Sequence, residues 1–236
     1  NQSNNCIGIT GTNGKSTTVS LVHHVLNKLK IDNRLGGNIG KPVFDLKIPF
    51  NGFYILEISS YQLELMKSSK FKIGIILNIS KDHMDRHNSF KKYISEKFKI
   101  FNNQEETDTS ILSVDDKYSR NLLNKIKKNR KSEVVTISGQ NNRSNFFIKN
   151  NYLVIDCKYK KKKIYKKINL RNFDNIVGSH NYQNLAAVYA VLFKLGFHNY
   201  KKIEKSIKTF KGLPHRLQKV REINKIKYIN DSKATN

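Results

Sequence analysis

Short apolar runs alternate with helical repeats along most of the chain. The runs are rich in β-branched and aromatic side chains, which is typical of buried strands in a parallel sheet. They lie at residues 6–10, 53–60, 71–79, 109–114 and 134–138. Apolar residues at helical spacing fall between the runs, at 15–30, 89–102 and 117–128. The alternation predicts an α/β fold with a mainly parallel, doubly wound sheet.

The alternation stops after residue 145. Three apolar runs separated by polar turns occupy 145–170 and predict a small antiparallel addition to the sheet. Two helical segments follow, at 178–196 and 200–210. Residues 211–215 look like a linker, and the runs at 216–220 and 226–230 beyond it predict two more strands. We expect truncation at both ends, because the chain opens on a sheet strand and stops in a polar segment.

The composition is that of a globular protein, with 236 residues of which 38% are hydrophobic and 10% aromatic. No apolar run approaches the roughly 20 residues of a membrane span, and the start shows no secretory leader. Cys6 and Cys157 are far apart and belong to no metal-type or redox-type pair. This cysteine usage predicts a cytoplasmic protein without a disulfide framework.

The formal net charge of the chain is +26. A chain this basic can bind nucleic acid, a membrane surface or anionic small molecules. The excess lysine is spread along the whole chain, however, and its densest run, 158–167, alternates like a surface strand of a hairpin. We interpret the charge as a solvated surface that helps to attract anionic substrates, and we predict no nucleic-acid partner.

The stretch from residue 6 to 18 combines a strand, a glycine-rich turn and the start of a helix. Glycines let backbone N–H groups turn toward oxyanions, and a helix N-terminus adds positive potential. Lys15 would reach the outer phosphates of a nucleotide, and the hydroxyl of Ser16 or Thr17 would hold Mg²⁺. The common phosphate-loop pattern has a glycine where this chain has Ile9, so the loop is a variant. The alternative is a turn that binds nothing, but the adjoining Lys-Ser-Thr favours phosphate.

Other polar residues stand near the ends of predicted strands. Glu57 interrupts an apolar run at the place where a Mg²⁺ ligand would lie, and pairing with a lysine is the alternative. Residues 80–87 are dense in ionisable side chains, which favours metal or substrate contact. The glycines and proline of 35–42 exclude regular structure and expose the amide of Asn38. By pattern alone, Lys97 is a surface lysine.

Three polar side chains cluster at the start of the helix predicted at 178–196. They are His180, Asn181 and Asn184. Capping of the helix explains one such residue but not three, so we expect some of them to face a nucleotide.

Seven segments, in order along the chain, resemble the Mur ligases. They lie at 11–17, 38–40, 56–64, 77–86, 178–184, 212–216 and 230–236. The first is shared with related amide ligases, including folylpolyglutamate synthases, and has the same variant glycine spacing. Asp-His-Met-Asp-Arg at 82–86 and Ser-Lys-Ala-Thr-Asn at 232–236 are most similar to the D-glutamate-adding member of the family.

The resemblance implies an ATP-dependent amide ligase that adds D-glutamate to UDP-N-acetylmuramoyl-L-alanine through an acyl phosphate, in cytoplasmic peptidoglycan precursor synthesis. It implies a central ATP-binding domain at 1–212 and the first strands of a truncated C-terminal α/β ligase domain at 213–236. We expect the family's N-terminal uridine-binding domain to be missing from the chain. ATP and the two substrates are the implied partners, and we expect a monomer that is inactive as it stands.

The matched positions also imply the roles of individual residues. The implied ATP contacts are Gly11, Thr12, Asn13, Gly14, Lys15, Ser16, Thr17, His180, Asn181, Asn184, Arg216, Asp231 and Lys233. Ser16 and Glu57 would hold one Mg²⁺, and His83 a second together with a carbamylated Lys97. The spacing is one residue shorter than in the family, which leaves Lys99 as the alternative. Asn38 and His83 would contact the substrate, and Lys15, His83 and Lys97 would be catalytic.

Two other functions stay open at the level of sequence. One is a different amide ligase of the superfamily, either a sibling Mur ligase or a folylpolyglutamate synthase. The other, motivated by the charge, is a nucleic-acid-dependent P-loop ATPase.

Overall fold

A computed structural model describes residues 5–82, 87, 89–129, 131–159, 161–173, 180–216, 218–224 and 226–232. The strands of its large sheet are β1 (Cys6–Thr10), β2 (Asn33–Gly37), β3 (Phe53–Glu57), β4 (Ile73–Ile76), β5 (Thr109–Ser113), β6 (Glu133–Ile137), β7 (Phe146–Lys149), β8 (Tyr152–Tyr159) and β9 (Lys162–Asn169). The helices are α1 (Lys15–Lys28), α2 (Ser60–Leu65), α3 (Phe90–Phe98), α4 (Lys117–Asn129), α5 (His180–Lys194) and α6 (Tyr200–Lys208). Short 3-10 turns occupy Val43–Asp45, Lys99–Phe101 and Leu170–Asn172.

The large sheet has the strand order β2-β3-β1-β4-β5-β6-β7-β8-β9. Its first six strands are parallel, as the alternation of strands and helices predicts. The glycine-rich loop follows β1, whose neighbours β3 and β4 come from later in the chain. The carboxyl ends of β1, β3 and β4 therefore bring residues that are distant in sequence to one edge of the sheet.

Helices cover both faces of the sheet, so the doubly wound prediction is confirmed. Adjacent residues of β3 show this directly, because Ile55 packs in one hydrophobic cluster and Leu56 in the other. The first cluster contains buried residues of α1, α5 and α6, among them Val22 and Val188. The second contains buried residues of α2, α3 and α4, among them Tyr93. Strands buried on both faces explain why their sequences are apolar almost throughout.

The prediction that residues 35–42 lack regular structure is wrong for the first part of that segment. Residues 33–37 form β2, the strand at one edge of the sheet, which pairs with β3. Gly37 has φ 103, and a Cβ there would lie 2.3 Å from the carbonyl oxygen of Glu57. The glycines are thus what lets this strand approach β3, although they suggest a loop when the sequence is considered alone.

The predicted antiparallel addition is confirmed as β7, β8 and β9, and it continues the large sheet. β7 joins β6 through the pairing of Phe146 with Ile137. The lysine-rich run at 158–167 contributes to the β8–β9 hairpin, as predicted. β10 (Gln218–Ile223) and β11 (Ile226–Asn230) form a separate antiparallel pair. Among the described residues, no helix is long and apolar enough to cross a membrane.

Candidate functional site

The glycine-rich loop connects the carboxyl end of β1 to the first turn of α1. The backbone N–H of Thr12 donates to the carbonyl oxygen of Asn78, 2.9 Å away, which ties the loop to the segment after β4. Gly14 has φ 82, and a Cβ there would lie 2.2 Å from Oδ1 of Asn184. Only glycine fits this position, because it accepts the positive φ and has no Cβ to contact Asn184. The loop therefore leads into a helix whose first N–H groups have no partner within the helix, an arrangement that binds phosphate.

Lys15 folds back on the loop in this structure. Its Nζ donates to the carbonyl oxygens of Gly11 and Thr12, at 3.0 and 2.8 Å. Burial lowers the pKa of Lys15, against the opposing effect of Glu57 and Asp82. A phosphate oxygen would be a stronger acceptor for this ammonium than either carbonyl, because both partners would then be charged. Lys15 is thus placed to bind an oxyanion in front of the loop.

Glu57 ends β3 with only 2% of its surface exposed. Its Oε1 accepts a hydrogen bond of 2.9 Å from Nδ2 of Asn38. Its Oε2 is buried and has no hydrogen-bond partner among the described residues. A buried carboxylate oxygen without a partner is costly, and a bound cation would satisfy it. The described ion pairs include none between Glu57 and a lysine, so the observation favours a metal ligand over a salt bridge.

Lys97 lies in α3 and is 2% exposed, so the interpretation of it as a surface lysine is wrong. Its Nζ donates to the carbonyl oxygen of Gly11 at 2.9 Å and to Oγ1 of Thr10 at 3.3 Å. Burial and the charge of Lys15 lower the pKa of Lys97 to about 7. Tyr93 lies one turn earlier in α3 and packs in the core, and its ring centroid is 4.7 Å from Nζ of Lys97. Lys97 is therefore on the buried side of the helix, a position that helical spacing alone does not predict for a lysine.

Lys99, the alternative to Lys97, lies elsewhere. Its side chain is 32% exposed and its Nζ pairs with Oε2 of Glu96 at 2.5 Å. Although the spacing before Lys97 is one residue shorter than in the family, Lys97 is the lysine that lies beside the loop. Of the two lysines, Lys97 contacts the loop, whereas Lys99 contacts Glu96 of α3 and the carbonyl oxygen of Glu64 in α2.

A pocket of about 160 Å³ lies in front of the loop. Its lining comes from four separate parts of the chain and consists of Gly11, Lys15, Asn38, Ser59, Ser60, Tyr61, Tyr93 and Lys97. The tertiary fold thus brings the loop, the segment after β2, the start of α2 and the helix α3 together around one space. Both lysines face it, which makes it suited to an anionic ligand.

The ionisable segment 80–87 is described only in part. His83, predicted to bind metal and substrate, lies outside the described residues, as does Asp85. His87 is buried, and its Nε2 lies 2.9 Å from Oγ of Ser60, a residue of the pocket. Within the described residues no group of three or more histidine, cysteine or acidic side chains forms a metal site.

Asn184, in the first turns of α5, packs against the glycine-rich loop. Asn184 is buried, its Oδ1 accepts from Oγ1 of Thr18 at 3.2 Å, and its Nδ2 donates to Oδ1 of Asn181 at 2.9 Å. His180 begins α5, and its side chain is outside the described part of the structure. The structure therefore places Asn184 against the loop and Asn181 beside it.

Three predicted ATP contacts come from the segment after residue 212. Arg216 is exposed in a short bridge with Leu213, and its charge contributes to lowering the pKa of Lys15. Asp231 is exposed directly after β11. Lys233 lies outside the described residues. Of the three, Arg216 is the one whose electrostatic contact with the loop is described.

Two residues at this site were missed by the sequence analysis. Asn78 exchanges hydrogen bonds with the loop, accepting from the N–H of Asn13 at 2.8 Å and donating to its carbonyl oxygen at 3.1 Å. Tyr93 is fully buried, and its hydroxyl lies 3.0 Å from Oγ1 of Thr12. Asn78 is a polar residue near the end of the apolar run at 71–79, which could have identified it. Tyr93 has no such signal, because its position is that of an ordinary core aromatic.

Comparison with known families decides the assignment. Residues 9–192 match the model of the Mur ligase middle domain. The chain belongs to the Mur ligase family. The predicted family resemblance and the predicted α/β fold are both confirmed.

Curated relatives of this Mur ligase chain are named UDP-N-acetylmuramoylalanine–D-glutamate ligase. The protein of Rickettsia prowazekii (strain Madrid E) is 39% identical over 230 residues, which cover 98% of this chain and 50% of the relative. The protein of Phenylobacterium zucineum (strain HLK1) is 36% identical over 231 residues, which cover 98% of this chain and 49% of the relative. The chain therefore spans about half the length of the curated relatives it matches.

Solved structures of other Mur ligases share the fold. MurF from Acinetobacter baumannii superposes with a TM-score of 0.70 at 16% identity, covering 96% of this chain and 50% of that one. MurF from Thermotoga maritima, solved in complex with ADP, gives a TM-score of 0.69 at 16% identity and covers 96% of this chain and 53% of that one.

Proposed function

We propose that this chain is the ATP-binding part of a ligase that joins D-glutamate to UDP-N-acetylmuramoyl-L-alanine in cytoplasmic peptidoglycan precursor synthesis. The observation that carries the proposal is the pocket in which a phosphate-type loop, Lys15, Asn38 and Lys97 meet. The names of the curated relatives support the choice of substrates. The MurF structure in complex with ADP supports a nucleotide as the ligand of this fold.

The loop residues 11–17 would hold the phosphates of ATP. The first N–H groups of α1 have no acceptor within the helix and would donate to them, and Lys15 would supply a positive charge from the same loop. The hydroxyl of Ser16 and the unpaired Oε2 of Glu57 would hold a Mg²⁺, because both are hard oxygen ligands. The ion would supply neutralisation of the charge that gathers on the transferred phosphoryl group.

Lys97 fits the carbamylated lysine implied by the family resemblance. Its amine is buried and its pKa of about 7 leaves a large neutral fraction, which is the form that attacks CO₂. The neutral amine would add to CO₂, forming the Nζ–C bond and losing one proton, which converts a neutral amine into an anionic oxygen ligand. Together with His83 this group would hold a second Mg²⁺ near the reacting carboxylate.

The proposed reaction explains why positive groups, Lys15 and the N-terminus of α1, lie together at the site. A carboxylate has no good leaving group, so the alanyl carboxylate first accepts the γ-phosphoryl group of ATP, and the amine of D-glutamate then displaces phosphate. Negative charge accumulates in both steps. Lys15 and the helix N-terminus would stabilise it. Asn38 would meet the substrate, and in this structure one of the two N–H donors of its Nδ2 is already used by Oε1 of Glu57.

The remaining predicted ATP contacts would act at a domain boundary. We place a central domain at 1–212 and the start of a C-terminal ligase domain at 213–236, with Gly212 and Pro214 as the hinge. His180, Asn181 and Asn184 would approach the nucleotide from the first domain, and Arg216, Asp231 and Lys233 from the second. Closure of the second domain over ATP would exclude water from the acyl phosphate.

Phosphate release by the full-length protein tests the proposal. We expect release that requires Mg-ATP, UDP-N-acetylmuramoyl-L-alanine and D-glutamate together. Release with a different amino acid or a folate substrate would identify another ligase of the superfamily. Release stimulated by DNA or RNA in the absence of both substrates would overturn the ligase assignment in favour of a nucleic-acid-dependent ATPase.

A further inference from the structure

A series of amide side chains connects the glycine-rich loop to Asp115, a half-buried acidic residue that follows β5, two strands away from β1 in the parallel sheet. Asn13 of the loop bonds Asn78, which follows β4, and Asn78 bonds Gln183 of α5. Gln183 in turn reaches Asp115, which follows β5. Resting on the function proposed above, we propose that Gln183 is a positioning residue for nucleotide binding, acting through Asn78 on the loop.

Asp115 at one end and the backbone of Asn13 at the other set the direction of the hydrogen bonds in this series. An ionised carboxylate can only accept, so the Nε2 end of Gln183 must face Asp115, and it donates to Oδ2 at 2.8 Å and to Oγ of Ser113 at 2.9 Å. The Oε1 end then faces Asn78 and accepts from its Nδ2 at 2.8 Å. Asn78 is left with Oδ1 toward the loop, where it accepts from the N–H of Asn13 at 2.8 Å.

Asp115 is itself held in place by the strand ends around it. It accepts from the N–H of Gly139 at 2.8 Å, from Nδ2 of Asn142 at 3.2 Å and from the hydroxyl of Ser138. The α5 helix packs closely here, since a Cβ on Gly139 would lie 2.8 Å from the backbone nitrogen of Gln183. The carboxylate, the glutamine and the loop are therefore parts of one ordered network rather than independent surface contacts.

The consequence for the loop is a fixed orientation of its first peptide groups. Asn78 holds both the N–H and the carbonyl of Asn13, so the N–H groups that follow, from Gly14 into α1, are the ones left for phosphate. A flipped Asn78 would present Nδ2 to the N–H of Asn13 and Oδ1 to its carbonyl oxygen, and Oε1 of Gln183, as a second acceptor for Nδ2, adds to the cost of that flip. Gln183 thus acts on nucleotide affinity without being placed among the residues predicted to touch ATP.

A swap of charge between Asp115 and Gln183 tests the network. In Asp115→Asn, Gln183 can adopt either orientation, and in Gln183→Glu two carboxylates face each other. In the double variant Asp115→Asn/Gln183→Glu, a carboxylate at 183 again accepts from Asn78 and from an amide at 115. We expect each single variant, and Gln183→Leu, to weaken Mg-ADP binding by about tenfold, and the double variant to recover to within about threefold of wild type.

Calorimetric titration of the full-length protein with Mg-ADP gives the affinities, and thermal unfolding of each variant reports its stability. Asn124→Leu, an exposed amide of α4, is the matched control and should bind as wild type. Unchanged affinity in the single variants, or a double variant weaker than either single one, would overturn the inference alone. A wild-type protein that binds no Mg-ADP or Mg-ATP would overturn the proposed function and the inference with it.

Discussion

Lys15 and Lys97 donate to the same atom, the carbonyl oxygen of Gly11, from 3.0 and 2.9 Å. Two ammonium groups that share one neutral acceptor repel each other, and the charge of Lys15 is among the causes that lower the pKa of Lys97. A phosphate in front of the loop would draw Lys15 away from Gly11. The pair therefore couples the ligand at the loop to the protonation of a lysine from another element of the fold.

The buried amine of Lys97 should leave a signature in the pH dependence of stability. Its pKa is about 7 in the folded chain against an ordinary 10.5, so between these values the unfolded state binds more protons. Stability gained through this residue therefore rises with pH across that window, and the cost of burying the charge is fully present below it. We expect Lys97→Met to be more stable than wild type at and below neutral pH, with the difference shrinking as pH rises toward 10.

Urea unfolding in CO₂-free buffer across that pH range measures the difference between the two proteins. Lys99→Met is the matched control, because it removes a nearby lysine whose side chain is partly exposed. A constant difference between Lys97→Met and wild type at every pH would contradict the shifted pKa.

Carbamylation of Lys97 is tested by removing the amine and supplying a carboxylate. Lys97→Ala should inactivate the full-length enzyme, and short carboxylates such as acetate or formate should restore part of the activity by occupying the vacated space. Incubation of wild type with ¹³C-bicarbonate should give a carbamate resonance that the variant lacks. Normal activity of Lys97→Ala would exclude the role, and loss of activity in Lys99→Ala with the same rescue would transfer it to that residue.

Because Oε2 of Glu57 has no hydrogen-bond partner among the described residues, we expect its carboxylate to bind a cation. Glu57→Gln should weaken nucleotide binding by about tenfold or more in the presence of Mg²⁺ and by much less in the presence of EDTA, because the amide is a poorer metal ligand. Folding should be little affected, since an amide is less costly to bury than an unpaired carboxylate.

Calorimetric titration with ADP under both conditions separates the two effects. Glu106→Gln, an exposed carboxylate, is the matched control. Equal weakening with and without Mg²⁺ would show that Glu57 supports the pocket through Asn38 alone.

The close approach of Asn184 to Gly14 predicts a steric cost for any side chain there. Gly14→Ala combines an unfavourable φ of 82 with a Cβ that would lie 2.2 Å from Oδ1 of Asn184. Gly212 offers a control, because its φ is 77 and nothing lies within 4 Å of a Cβ placed on it. We expect both alanine variants to lose about 1 kcal/mol or more from backbone strain, and Gly14→Ala to lose clearly more.

Chemical denaturation of the two variants measures the free energies of unfolding. Equal losses at Gly14 and Gly212 would show that Asn184 moves aside at little cost, and the buried contact between α5 and the loop would then not be rigid.

The sequence by itself determined most of the elements and the position of the glycine-rich loop, although it did not predict α2. Local composition sufficed for the buried strands, whose apolar character comes from helices on both faces, and for the loop, whose glycines and Lys15 are adjacent in sequence. It failed at β2, because glycines that allow a strand to approach its neighbour look the same as glycines that form a loop. The family could be inferred because its motifs are contiguous segments.

The tertiary structure alone decided which distant residues meet. Lys97 has the pattern of a surface lysine, and only the packing of α3 against the end of β1 buries its amine beside Gly11. The sequence also does not show that Oε2 of Glu57 lacks a hydrogen-bond partner among the described residues. Nor does it show the series of hydrogen bonds from Asp115 through Gln183 to Asn13. Burial, pKa and hydrogen-bond direction depend on neighbours that the chain order does not give, because parallel strands bring together ends that are far apart in sequence.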